Sequence, residues 1–111
     1  MNLWHQLVSE QQIQEITEAS FQRPQLIFKH STRCGISAQA YHKLEKATDS
    51  LKSAVDLHYL DLITYRSVSN KVAEDLGIKH QSPQVILVQN GEPIYNTSHY
   101  SIDPDKILSA A

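Results

Sequence analysis

Cysteine is nearly absent from this chain: Cys34 is the single one among 111 residues. One thiol cannot close a disulfide within the chain, so stability has to come from packing, and the reducing cytoplasm is the expected setting. Three glycines and four prolines are too few for fibrous or low-complexity sequence. No apolar segment approaches the roughly 18–20 residues that a membrane helix needs. Met1 to Gln6 lack a basic region followed by an apolar stretch, so no signal peptide is expected. Ten Lys and Arg against twelve Asp and Glu leave a net charge of −2 with no basic run. Neither a nucleic-acid nor a membrane partner is therefore expected. What remains is 41% hydrophobic and 20% charged residues, an ordinary composition for a chain that buries a core as one domain over residues 1–111.

Ser9-Glu10-Gln11-Gln12 has capping-box spacing, with the Ser9 hydroxyl placed to accept from the Gln12 N–H while Gln12 reaches back. It opens a helix to about Ser20, with Ile13, Ile16 and either Ala19 or Ser20 inward; Leu3 to Leu7 before it is a short candidate strand. After Arg23-Pro24, the apolar triplet in Gln25-Leu26-Ile27-Phe28-Lys29 predicts a strand covered on both faces. A polar turn then leads into a helix from Cys34 or Gly35 to about Lys46, striped by Ile36, Ala40, Leu44 and Ala47. Val55 to Asp61 alternates as a strand nearer a sheet edge. Tyr65, Val68, Val72 and Leu76 mark a helix stopped by Gly77. Pro83 precedes the strand Val85-Ile86-Leu87-Val88, Asn90-Gly91 is a hairpin turn, and Pro93 to Thr97 returns. Asp103-Pro104 caps a short last helix.

The order is (β)αβαβαββα, with parallel crossovers first and an antiparallel hairpin last. It resembles the thioredoxin-like α/β fold, a central mixed sheet of four to five strands flanked by helices. Fold alone leaves function open. The chemistry has to come from Cys34, which lies where the first apolar strand hands over to a helix. A helix start carries about half a unit of positive charge and several unpaired N–H groups. Thiolate is favoured over thiol there. Arg33 adds a full charge, Gly35 leaves room for a substrate disulfide, Ile36 contributes its backbone to the same turn, and the Ser37 hydroxyl is within reach of the sulfur. The opposing reading is an inert packing thiol. The polar neighbours Thr32, Arg33 and Ser37 argue against it.

Cys34-Gly35-Ile36-Ser37 looks like a C-x-x-C redox motif with serine at its second cysteine. Ser82-Pro83 resembles the cis-proline loop that faces the catalytic cysteine in thioredoxin-like folds. The runs Lys29-His30-Ser31-Thr32-Arg33-Cys34-Gly35-Ile36-Ser37 and Ser82-Pro83-Gln84-Val85-Ile86-Leu87, with Ser98-His99, are similar to the monothiol bacilliredoxin family, YtxJ-like proteins of the bacillithiol system. Arg33 and Gly35 depart from it, since the family often carries Thr before its cysteine and Pro after. The resemblance implies thiol–disulfide exchange through Cys34. It also implies bacillithiol or a similar low-molecular-weight thiol as co-substrate with nothing bound tightly, and S-thiolated proteins and a small thiol or partner redoxin as partners. Thr32, Ser82, Pro83, Gln84 and His99 are the expected ligand-positioning residues.

Two rival classes stay open on the sequence. Cys34-Gly35-Ile36-Ser37 is one residue from the signature of monothiol glutaredoxins that carry an iron–sulfur cluster, although Tyr95 to Tyr100 lacks their glutathione-holding residues. A thioredoxin-like binding module without turnover is the other. The six histidines show no tight metal-ligand spacing, and no metal site is expected. His42 and His58 are expected to face solvent. Lys29 reads equally as an attractor of acidic thiols or as a strand-end charge. Trp4 and the tyrosines read as packing groups.

Overall fold

The computed structural model describes residues 1–111. In chain order its elements are β1 (His5–Gln6), α1 (Gln11–Ala19), β2 (Gln25–His30), α2 (Gly35–Lys46), α3 (Thr48–Lys52), β3 (Asp56–Asp61), α4 (Arg66–Leu76), β4 (Gln84–Gln89), β5 (Glu92–Ser98) and α5 (Pro104–Ala110). A 3-10 turn at His99–Ser101 joins β5 to α5. The sheet runs β1-β3-β2-β4-β5. The first three strands are parallel, while β4 pairs antiparallel with both β2 and β5.

Every residue of β2 is buried, as its unbroken apolar run requires for a central strand with helices on both faces. Alternation along the strand sorts two cores. Leu26 and Phe28 pack with Ala40, Leu44, Leu51 and Ile107 under α2, α3 and α5. Ile27 packs with Ile13, Ile16, Val68 and Val72 under α1 and α4. Trp4 is buried in the first core and its indole Nε1–H donates to Thr48 Oγ1 at 2.9 Å.

The turn chemistry follows the residue types. Gly77 ends α4 at φ +64°, the left-handed conformation that glycine adopts without a Cβ penalty. Asn90 and Gly91 both have positive φ, giving the two-residue hairpin turn between β4 and β5. Asp103 Oδ1 accepts the Asp105 N–H at 2.9 Å, with Pro104 at the first turn of α5.

Several details differ from the sequence expectations. Only half of the capping box forms: Gln12 Oε1 accepts the Ser9 N–H at 2.9 Å, but the Gln12 N–H donates to the Ser9 carbonyl, not to its hydroxyl. α1 therefore begins without a side-chain cap. The strand before it shrinks to His5–Gln6. A separate helix, α3, fills the stretch before β3; Leu44, Thr48 and Leu51 continue one buried stripe across the break at Ala47. On α2 the inward stripe is Ser37, Ala40 and Leu44, and Ile36 is only half-buried. His58 is half-buried, not freely solvated. Its Nε2 lies 2.7 Å from Gln25 Oε1, its ring packs on His5, and burial lowers its pKa to about 4. His42 is exposed as expected.

The stripe assignment on α2 has a direct test. Leu44→Ala is expected to lower unfolding free energy by about 2–5 kcal/mol through the cavity it leaves. Ile36→Ala is expected to cost less than about 1 kcal/mol. Urea unfolding of the two variants reads the difference, and equal losses would contradict the assignment.

Candidate active site

Cys34 is the N-cap residue of α2, in extended conformation at φ −118° and ψ 126°. Its carbonyl accepts the Ala38 N–H at 3.0 Å, the first bond of the helix, and its own N–H donates to the Ser31 carbonyl at 3.3 Å. No side chain caps the helix, so the N–H groups of Gly35, Ile36 and Ser37 lack intrahelical acceptors beside the thiol. The thiol is half-exposed and unbonded to any other sulfur. A Cβ on Gly35 would meet nothing within 4 Å, so the residue that follows the sulfur faces open space. Thr32 and Arg33 are exposed, and Arg33 forms no ion pair.

Ser37 is placed differently from the sequence expectation. It is fully buried, and its Oγ accepts the Ser31 N–H at 2.9 Å and lies 2.7 Å from His30 Nδ1. The hydroxyl is engaged inward and makes no hydrogen bond to Cys34. Its place on the buried stripe of α2, facing the end of β2, is the physical reason.

The antiparallel register sets Lys29 opposite Gln84, which carries Pro83 and Ser82 alongside the end of β2, where the chain turns toward Cys34. The Ser82–Pro83 bond is cis, in keeping with the expected loop type. The Pro83 carbonyl accepts the His99 N–H at 3.0 Å. His99 thus joins this loop through its backbone, at φ +56°, while the residue itself is exposed. The 3-10 turn that it begins packs against α2. Gln84 is not available as a ligand contact through its side chain. It is buried, its Nε2 donates to the Lys79 carbonyl at 3.0 Å, and its Oε1 is buried without a partner. Ser82 Oγ is likewise buried and unpartnered.

His30 matters here although the sequence gives it no site role; its alternation with Lys29 on a buried strand is the available signal. Lys29 fits neither of its two sequence readings, the attractor of acidic thiols or the strand-end charge, because it is fully buried on the face toward α4. Its Nζ donates to the Ser69 carbonyl at 3.2 Å and lies 3.2 Å from His80 Nδ1. No three His, Cys, Asp or Glu side chains converge in a group that could hold a metal, and no helix is long and apolar enough to cross a membrane.

A lone thiol at a strand–helix junction of this sheet, beside a proline loop from the neighbouring strand, belongs to the thioredoxin-fold class. Solved structures agree on the fold. A protein described as a provisional oxidoreductase with a thioredoxin fold is 29% identical, with 98% of this chain and 94% of that one covered and a TM-score of 0.85. The thioredoxin of Malassezia sympodialis is 19% identical over 96% of this chain and 86% of its own, at a TM-score of 0.74. That of Fasciola hepatica is 12% identical over 95% and 93%, at 0.73. The family model described as monothiol bacilliredoxin BrxC matches residues 5–107, and the chain belongs to that family. The family and the fold together support a thiol redox role.

Burial lowers Lys29 from 10.5 to about 8. Below that value the folded and unfolded chains both hold the proton; between 8 and 10.5 only the unfolded chain does. Raising the pH through this window therefore favours the folded state, and the gain is lost as the pH falls back through the folded value. The urea midpoint is expected to rise more between about pH 8 and pH 10 in the wild type than in Lys29→Met. Equal shifts in both would contradict a lysine held this way.

Proposed function

We propose that Cys34 removes a low-molecular-weight thiol, bacillithiol or a similar molecule, from mixed disulfides on proteins. The observation that carries this reading is the half-exposed, single sulfur at an uncapped helix start, with open space at Gly35 beside it. In the first step the Cys34 thiolate attacks the sulfur of the small thiol. A disulfide forms between Cys34 and the small thiol, the disulfide to the protein breaks, and the protein sulfur leaves as a thiolate that takes a proton from water. One disulfide is exchanged for another, so the electrons balance. With one cysteine in the chain, no second internal thiol can resolve the product. A further small thiol or a partner redoxin attacks the disulfide on Cys34 and restores the thiolate.

The roles divide by position. Cys34 is the nucleophile, and the backbone N–H groups of Gly35, Ile36 and Ser37 stabilise its thiolate, with the unpaired charge of Arg33 nearby. Thr32, the backbone of Ser82 and Pro83, and His99 form the surroundings in which the ligand is held. The setting proposed for the exchange is the cytoplasm, where thiols are kept reduced.

Intact-mass measurement tests this directly. Incubated with a protein carrying a bacillithiol mixed disulfide, the wild-type chain is expected to gain the mass of the small thiol while the substrate loses it. Cys34→Ser is expected to do neither. Release of the small thiol at the same rate by wild type and Cys34→Ser would reject the proposal.

A further inference from the structure

His30 is a polar ring in an apolar place. It ends β2 on the face toward α2, it is 7% exposed, and three aromatic rings surround it: Tyr41, Phe28 and Tyr59, with centroids at 5.1, 5.6 and 5.8 Å. Burying an imidazole there costs free energy unless its nitrogens are bonded. Its one hydrogen-bond contact is Nδ1 to Ser37 Oγ at 2.7 Å. That oxygen also accepts the Ser31 N–H at 2.9 Å. Ser31 and Ser37 bracket the sulfur in sequence, and the Ser31 carbonyl in turn accepts the Cys34 N–H. The imidazole, the hydroxyl and the Ser31 peptide thus close the turn that carries Cys34 against the first turn of α2.

We propose that His30 is a positioning residue for the chemistry of Cys34, acting through Ser37: the ring holds the hydroxyl inward, the hydroxyl anchors Ser31, and the anchored turn presents the sulfur beside the free N–H groups of the helix. This rests on the reading of Cys34 as the exchanging thiol. Ser37 then does more than fill the place of a second cysteine; it is the joint between strand and helix. Burial lowers the His30 pKa, against the opposing effects of the Asp61 charge and of the Ser37 backbone. The lowered pKa favours the neutral ring, whose Nε2–H tautomer presents Nδ1 as an acceptor for the Ser37 hydroxyl.

The test compares His30→Phe, His30→Asn, Ser37→Ala and the double variant His30→Phe/Ser37→Ala. Two rates are read on each: alkylation of Cys34 by iodoacetamide and exchange with a mixed disulfide. Phe keeps the ring among its aromatic neighbours and removes the polar atom, and Asn returns a polar atom near the place of Nδ1. His30→Phe and Ser37→Ala are each expected to slow alkylation about tenfold. Because they break one connection, the double variant is expected to be no slower than the slower single, within about twofold, and His30→Asn to recover to within about threefold of wild type. Circular dichroism and urea midpoints establish that the variants are folded. Wild-type alkylation in the folded single variants, or a double variant slowed by the product of the two, would overturn the proposal. Should His30→Phe fail to fold, wild-type alkylation in Ser37→Ala alone overturns it. Alkylation needs no physiological substrate. Slowed alkylation in the variants, with no exchange by the wild type, would sink the exchange reading and uphold the positioning role.

Discussion

One oxygen joins the three parts of this site. Ser37 Oγ meets the ring of His30 at the end of β2, the N–H of Ser31 in the following turn, and the helix that bears it. Without that contact the turn Thr32-Arg33-Cys34 would be held at its centre only by the Cys34 N–H to Ser31 carbonyl bond at 3.3 Å. A hydrogen bond of this kind contributes about 0.5–1.5 kcal/mol net, and leaving either buried group unpaired costs about 1–3 kcal/mol. The site therefore depends on the contacts of one hydroxyl inside an otherwise apolar layer, where losing a partner is most costly.

The sheet order makes this arrangement possible. Phe28 and His30 point toward α2, whereas Lys29 points the other way and reaches Ser69 on α4 and His80 in the loop before Pro83. The antiparallel pairing of β2 with β4 then brings Ser82 and Pro83 to the end of the strand that leads to the sulfur. The same loop is fastened on its far side by the His99 N–H and from beneath by Gln84. Thiol chemistry thus sits where a parallel crossover meets an antiparallel hairpin, on a scaffold whose two cores are sorted by the alternation of one buried strand.

Most of the fold could be read from residues whose physics is local. The apolar runs around Ile27 and Ile86, the turn at Asn90-Gly91, the stop at Gly77 and the cap at Asp103 each act through neighbouring backbone, and each formed as expected. The position of Cys34 at a helix start was legible for the same reason. The miscast residues were polar side chains whose direction is set by tertiary partners. Spacing alone aims Ser37 at the sulfur three residues away, yet its place on the buried stripe turns it toward His30. Gln84 and Lys29 looked available to ligands, but their cross-strand register buries both on the α4 face. Strict alternation points His58 to solvent, but the two-residue strand β1 brings His5 over it. The helix at Thr48–Lys52 carries no separate signal where Ala47 interrupts the regular backbone, although the stripe through Leu51 continues.

The central claim is that folding makes Cys34 a better nucleophile than an unstructured cysteine, by seating it at an open helix start. The most direct measurement is its second-order alkylation rate at neutral pH in the folded chain, against the same chain unfolded in urea. A faster reaction in the folded chain is the result this account requires. A folded sulfur that reacts more slowly than the unfolded one would show a thiol shielded by its surroundings, and would contradict it.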